Sequence, residues 1–311
     1  MTATANVSKR RAWLIATRPQ TLPAAAAPVI VGTALAFHDG VFSPGPAIAA
    51  FAGAALIQIG TNLANDYYDA IKGVDTDDRE GFTRVTQAGL IAPDAVRNAA
   101  IASFALSILV GTYLVYVGGI PIVVIGLAGV LSGIAYAGGP YPLGSHGLGD
   151  LFVFTFFGVI AVMGTYYVQA TAAFADPFPL LPPPETITVE AFAASLPIAA
   201  LATCILIVNN VRDLETDREA GKRTLAVLIG YRWSRAEYVC LLVLAYLVPV
   251  WFWWGGFDPL VLLPIGTLPY AAFVAHTVVT VTSGEALNPA LERTGRLLAL
   301  YAILFAIGVV V

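Results

Sequence analysis

Asn98 to Ala137 reads NAAIASFALSILVGTYLVYVGGIPIVVIGLAGVLSGIAYA, a run without one charged side chain and long enough to cross a bilayer twice. Gly118, Gly119 and Pro121 punctuate it, so it is expected to hold two helices, 98–117 and 120–137. No period-two alternation runs through it, which argues against the strands of a membrane barrel. Working outward, further apolar runs predict helices near 20–37, 46–65, 150–172, 193–211, 236–254, 259–281 and 294–311, about nine in all. The composition agrees: 58% of the 311 residues are hydrophobic and 12% charged, more apolar surface than a soluble fold of this length can bury. The expected fold class is therefore all-α, a polytopic membrane protein. One membrane-embedded domain spans 1–311, with two pseudo-equivalent halves of about 14–172 and 193–311.

The charges fix the direction of threading. If each run crosses once, all 16 Lys and Arg fall on one side. Lys9, Arg10, Arg11 and Arg18 lie at the amino end, and Lys72, Arg79, Arg84 and Arg97 in the second loop. Arg212, Arg218, Lys222, Arg223, Arg232 and Arg235 lie in the sixth loop, Arg293 and Arg296 in the eighth. The opposite loops hold only acids: Asp39, Asp176, Glu185, Glu190 and Asp258. The positive-inside rule then places the amino terminus and the basic loops in the cytoplasm, and an odd helix count places Val311 outside. The Pro-rich stretch Asp176–Pro184 cannot continue a helix and marks the longest outer loop, between the two halves. The amino-terminal segment lacks the apolar core and cleavage site of a signal peptide, so no removed presequence is expected. Cys204 and Cys240 show no metal or disulfide spacing and read as membrane packing residues. Trp251, Trp253 and Trp254 read as an interfacial belt, and Gly126, Gly129 and Gly133 as sites of close helix approach.

Each half carries one acidic cluster where a helix meets a long basic loop. The first is Asn62-Leu63-Ala64-Asn65-Asp66-Tyr67-Tyr68-Asp69, followed by Lys72, Asp75, Asp77, Asp78 and Arg79. The second is Asn209-Asn210-Val211-Arg212-Asp213-Leu214-Glu215-Thr216-Asp217, followed by Arg218, Lys222 and Arg223. The spacings i,i+4 and i,i+3 put each set of polar groups on one helical face. Carboxylates one turn apart repel unless a cation stands between them, and oxygen ligands that leave room for phosphate suit magnesium. Two such clusters with Lys and Arg behind them form a site for a diphosphate and for its departure as a leaving group. A single Asp-x-x-Asp would be ordinary solvated charge; its repetition in both halves carries the signal.

These paired clusters on the second and sixth of nine helices resemble the UbiA superfamily of intramembrane prenyltransferases, over nearly the whole chain. Within it, the segments Thr17–Pro23, Asn62–Asp69, Gly138–Leu143, Gly147–Asp150 and Gly164–Tyr167 are most similar to the 1,4-dihydroxy-2-naphthoate polyprenyltransferase branch of menaquinone biosynthesis. The resemblance implies a bundle around a central cavity, capped by the cytoplasmic loops and open sideways to lipid for a long prenyl tail. It implies Asp66, Asp69, Asp213 and Asp217 as catalytic ligands of Mg2+. Arg18, Asn62, Lys72, Arg79, Tyr141, Asn209 and Lys222 would bind or orient polyprenyl diphosphate, with Asp75 a further candidate. The ring of 1,4-dihydroxy-2-naphthoate would attack the allylic cation at the carbon bearing the carboxylate, releasing carbon dioxide and giving demethylmenaquinone in its reduced, quinol form. No nucleic-acid partner is expected.

Acceptor contacts are less marked. His146 is a candidate proton acceptor, because neutral imidazole titrates near physiological pH, although a loop histidine is more often simply exposed. Asp150 is an acceptor candidate because a charge at a membrane boundary is costly unless paired. Tyr166, Tyr167 and Gln169 lie nearer mid-membrane, where they could line the cavity. The clusters do not discriminate this acceptor from a hydroxybenzoate, homogentisate, haem, a chlorophyllide or a glycerol phosphate. A secondary transporter is the competing class, but transport sites gather near the midplane rather than at one rim.

Overall fold

The computed structural model describes residues 7–72, 85–137 and 146–311, apart from the side chains of Gln20, Asp69, Lys72, 131–137 and Glu285. Every regular element among them is helical. Helix α1 (Lys9–Thr17) starts where the Ser8 hydroxyl accepts the Arg11 amide, and ends where Arg18 takes a left-handed conformation at φ 49°. A short 3-10 turn (Pro19–Thr21) then leads into α2 (Leu22–His38), at 60° to α1. Helix α3 (Pro44–Lys72) has 29 residues, about 43 Å of rise against a hydrocarbon core of about 30 Å, so one end must stand beyond the core. The carboxyl-terminal end of α3 carries Asn62 to Asp69.

The run that decided the fold class forms one stretch, α4 (Pro93–Ala137), in which two helices meet at Gly119. Gly119 has φ 65° and ψ −152°, and the Ile120 amide donates to the Pro179 carbonyl at 3.0 Å instead of to its own helix. The Phe178 amide donates to the Tyr116 carbonyl at 2.8 Å, so the Pro-rich loop clamps this break from outside. The break falls between the two expected helices. By length and apolar composition, seven helices among the described residues can cross a membrane, or eight with the bent α1–α2 pair. That criterion takes α4 as a single span, where the sequence predicts two.

The next span begins with the short α5 (Gly149–Phe152), continues as π-helix over Val153–Ile160 and ends as α6 (Ala161–Phe174). Helix α7 (Val189–Arg212), capped by Thr188, is the axis of the bundle: 78% of its apolar window is buried, against 11% for Pro93–Val130. Its alanines permit close approach, and a Cβ on Gly158 of the π-helical stretch would stand 2.2 Å from the Ala199 Cα. Short α8 (Leu214–Glu219) leads to α9 (Leu225–Trp254), capped by Thr224. A 3-10 segment (Pro259–Thr267), α10 (Leu268–Thr280) and α11 (Gly284–Val310), capped by Ser283, complete the chain. The largest buried side chains, among them Tyr238, Phe252, Tyr301 and Phe305, fill the space around α7, α9 and α11.

Two smaller expectations change. Gly126 and Gly129 face open space rather than a neighbouring helix; Gly133 lies where side-chain surroundings are not described. Cys204 is buried, but Cys240 is exposed on the bundle's outer face, so only the first packs in the core. Trp251, Trp253 and Trp254 are exposed at the end of α9, where a belt requires them.

Candidate active site

The first cluster grows from the long α3. Asn62 is buried, and its amide nitrogen donates to the Thr17 carbonyl at 3.0 Å and to the Thr21 hydroxyl at 2.8 Å. Gln58, one turn earlier, donates to the same hydroxyl at 3.2 Å. Asn62 therefore holds the α1–α2 turn from both sides of Arg18, and it is this turn that sets where Arg18 stands. Asp66 is 1% exposed, and its carboxylate accepts the Val85 amide at 3.0 Å, the Thr86 amide at 3.2 Å and the Thr86 hydroxyl. Two amides and a hydroxyl aimed at one carboxylate fix both of its oxygens. Asp69 and Lys72 follow on the last turns of α3, with side chains outside the described residues. Asp75, Arg79 and Tyr141 lie outside them altogether.

The second cluster sits where α7 ends. The expected continuous face is broken at Asp213, which leaves helical geometry at φ −94°, ψ 10° and closes α7. The next turn restarts at once: the Asp217 amide donates to the Asp213 carbonyl at 2.8 Å, keeping Asn209, Asp213 and Asp217 in helical succession. Arg212, which the sequence reading gave no role, ties the cluster together. Its Nε and Nη2 reach Asp213 Oδ1 and Oδ2, each at 2.7 Å, Nη2 also reaches Asn209 Oδ1 at 2.9 Å, and Nη1 reaches Asn288 Oδ1 on α11 at 3.1 Å. Lys222 Nζ pairs with Asp217 Oδ1 at 2.7 Å, the aspartate nearly buried and the lysine half exposed.

The two clusters belong to one rim. Asn62 binds the 3-10 turn before α2, that turn packs against α11, and α11 supplies Asn288 to Arg212. Thr86 and Asn288 are the contacts that sequence reading missed, lying 20 and 76 residues from their partners with no motif around them.

The acceptor candidates separate. Asp150, on the first turn of its span, is 5% exposed, and its Oδ2 has no hydrogen-bond partner among the described residues. His146 is exposed in the preceding turn. Tyr166 stands elsewhere: its hydroxyl donates to Asp39 Oδ2 at 2.7 Å, beyond the far end of α2 from Arg18. Tyr167 donates to the Gly118 carbonyl at 2.8 Å, and Gln169 to Thr33 at 3.2 Å, so both belong to helix packing at that opposite end. Between α2, α3 and the end of α11 runs an open apolar groove of about 590 Å3, lined by Val29, Ala34, Phe37, Ile48, Phe51 and Val310 among others.

Known proteins are similar to this chain in sequence and in fold. The model of the UbiA prenyltransferase family matches residues 25–308. The 1,4-dihydroxy-2-naphthoate octaprenyltransferase of Escherichia coli (strain K12) is 38% identical over 97% of this chain and 96% of its own length. That of Mycobacterium tuberculosis is 34% identical, over 94% and 95%. Among solved structures, a UbiA homologue from Archaeoglobus fulgidus bound to DMAPP and Mg2+ superimposes with a TM-score of 0.57, covering 95% of this chain and 99% of that one at 17% identity, a likeness of fold. A family match of this length, joined to paired Asn and Asp clusters on one rim of a helical membrane bundle, leaves a single assignment: the chain belongs to the UbiA prenyltransferase family.

Proposed function

We propose that the protein transfers a polyprenyl chain from polyprenyl diphosphate to 1,4-dihydroxy-2-naphthoate, with loss of carbon dioxide, as a step of menaquinone synthesis. The observation that carries this is the joined rim of two acidic clusters in a chain 38% identical, end to end, to a protein named for that reaction. Family membership also removes the transporter from consideration.

The donor set fits a hard dication: Asp66, Asp213 and Asp217 offer only oxygen, on carboxylates held in place, and each carboxylate keeps a lone pair beyond its present bonds, on Oδ2 in Asp66, whose Oδ1 already accepts twice. Asp66, Asp69, Asp213 and Asp217 would hold Mg2+; manganese suits the same ligands. When bound, the metal neutralises the diphosphate and turns it into a leaving group. Arg18, Lys72, Arg79, Lys222 and Tyr141 would steady the diphosphate oxygens, with Asn62 and Asn209 setting the frame. The allylic carbon–oxygen bond breaks, the ring carbon bearing the carboxylate attacks, and decarboxylation returns the electron pair that restores the aromatic ring. No proton is lost in this sequence, so no general base is required. Asp150 Oδ2 would instead accept a hydrogen bond from a ring hydroxyl and raise the ring's electron density. Tyr166 is left out, its hydroxyl being held at the opposite end. Only the far part of a long prenyl tail would lie in the apolar groove, which opens toward the end of the bundle opposite the clusters. We place the amino terminus and both clusters in the cytoplasm and the carboxyl terminus outside, and read the two halves as equivalent units.

The test is a reaction in liposomes with Mg2+, radiolabelled polyprenyl diphosphate and either 1,4-dihydroxy-2-naphthoate or 4-hydroxybenzoate. Lipid-soluble product and released carbon dioxide are expected with the naphthoate alone, and chelation of the metal should stop both. Product from the hydroxybenzoate only would keep the family chemistry and overturn the acceptor. In the same assay Thr86→Val should lower the rate about tenfold, the equivalent of one hydrogen bond to a charged group, and Thr86→Ser should restore it.

A further inference from the structure

Each described carboxylate of the two clusters already carries a counterweight from the protein. Asp213 is held on both oxygens by the planar fork of Arg212, Asp217 Oδ1 by Lys222, and Asp66 by two amides and a hydroxyl. Among the described residues no three acids, histidines or cysteines converge as a ready metal cage. Arg212 is itself only 11% exposed, and Asn288 of α11 and Asn209 fix the rest of its fork. A dication that approached Asp213 alone would meet this guanidinium at hydrogen-bond distance from both oxygens it needs. Like charges that close, shielded from water by burial, repel strongly. A diphosphate reverses the balance, because its own negative charges can satisfy the dication and the guanidinium together.

We infer that Arg212, anchored by Asn288, makes metal loading conditional on the diphosphate, so that cation and prenyl diphosphate enter the site as one unit. This rests on the reading of the clusters as a metal–diphosphate site. Arg212 is a positioning residue in this scheme: it acts through Asp213 and Asn209, and it sets the order of binding. Lys222 on Asp217 works in the same sense at the more exposed end of the cluster.

The measurement is equilibrium dialysis of the full-length protein in detergent against Mn2+, with and without inorganic pyrophosphate, no acceptor present. The wild type should hold Mn2+ about tenfold more tightly with pyrophosphate, a factor within the usual range of coupling between two sites. Arg212→Gln should bind Mn2+ alone about tenfold more tightly than the wild type and gain little from pyrophosphate. Lys222→Gln, at a half-exposed position, should shift the same way by a smaller factor. Equal Mn2+ binding by the wild type with and without pyrophosphate would overturn the inference, as would weaker binding of Mn2+ alone by Arg212→Gln. Should that variant not fold, Lys222→Gln decides, and no gain in Mn2+ binding there counts against the idea. Mn2+ held under neither condition removes the inference and the metal-dependent reading together. Conditional Mn2+ binding in a protein that does not prenylate the naphthoate removes only the proposed acceptor.

Discussion

Asp213→Ala should abolish prenyl transfer, with a fall of at least about a thousand-fold, the scale on which an electrostatic group at the reacting centre contributes. The substitution removes a proposed metal ligand and also strands Arg212, whose remaining partners, Asn209 and Asn288, are both neutral. The guanidinium then becomes the nearest fixed charge to the incoming metal with no carboxylate to offset it. The loss should appear mainly in kcat, while KM for the aromatic acceptor changes little, because no acceptor contact is assigned to this cluster. Stability should fall far less than activity. Asp213 is 33% exposed, so solvent screens much of the pair, and its removal should cost about 1–2 kcal/mol rather than the 3–5 kcal/mol of a fully buried pair. Thermal unfolding in detergent beside the rate measurement separates the two effects. A variant that stays folded and keeps more than about a tenth of the wild-type rate would remove Asp213 from the reacting centre.

What the sequence revealed and concealed follows from the range of each interaction. Helix spans are local properties of composition, so the apolar runs located the bundle, and the break at Gly119 was visible as Gly-Gly followed by Pro. The spacing of Asn62, Asp66 and Asp69 is also local, and α3 carries it as a single helix. Asp213 is different. The pattern Asn209, Asp213, Asp217 fits an unbroken helix, but Asp213 ends α7, a change of backbone that leaves the side-chain period nearly intact and so leaves no trace in the pattern. Arg212 was quoted within the motif, yet its role depends on Asn288, which the fold brings from another helix. Thr86 likewise reaches Asp66 from beyond the intervening loop. Tyr166 shows the same limit, for the partner of its hydroxyl, Asp39, comes from a different loop 127 residues away.

Gly119→Ala should be strongly destabilising, and it tests the fold independently of the chemistry. Gly119 occupies φ 65°, ψ −152°, a region essentially open to glycine alone, where a side chain costs about 1–3 kcal/mol in strain. A Cβ there would also fall 1.9 Å from the Pro179 carbonyl oxygen and 2.6 Å from its nitrogen. Both atoms are backbone, so no rotamer change relieves the clash. The loop must lift, and in lifting it breaks the bonds from Ile120 to Pro179 and from Phe178 to Tyr116. These are the contacts that join the connection between α6 and α7 to the turn within α4. The two effects together should lower the unfolding midpoint in detergent by roughly 10 °C. Gly126→Ala is the matched control on the same stretch: nothing stands within 4 Å of its added methyl, and an alanine in a helix interior is neutral to slightly stabilising. Because Gly119 lies at the opposite end from Asp66 and Asp213, Gly119→Ala protein that remains folded at low temperature should transfer prenyl groups at close to the wild-type rate. A strong loss of activity without loss of stability would mean that the two rims are coupled through α4, which packs along α3 beside the first cluster.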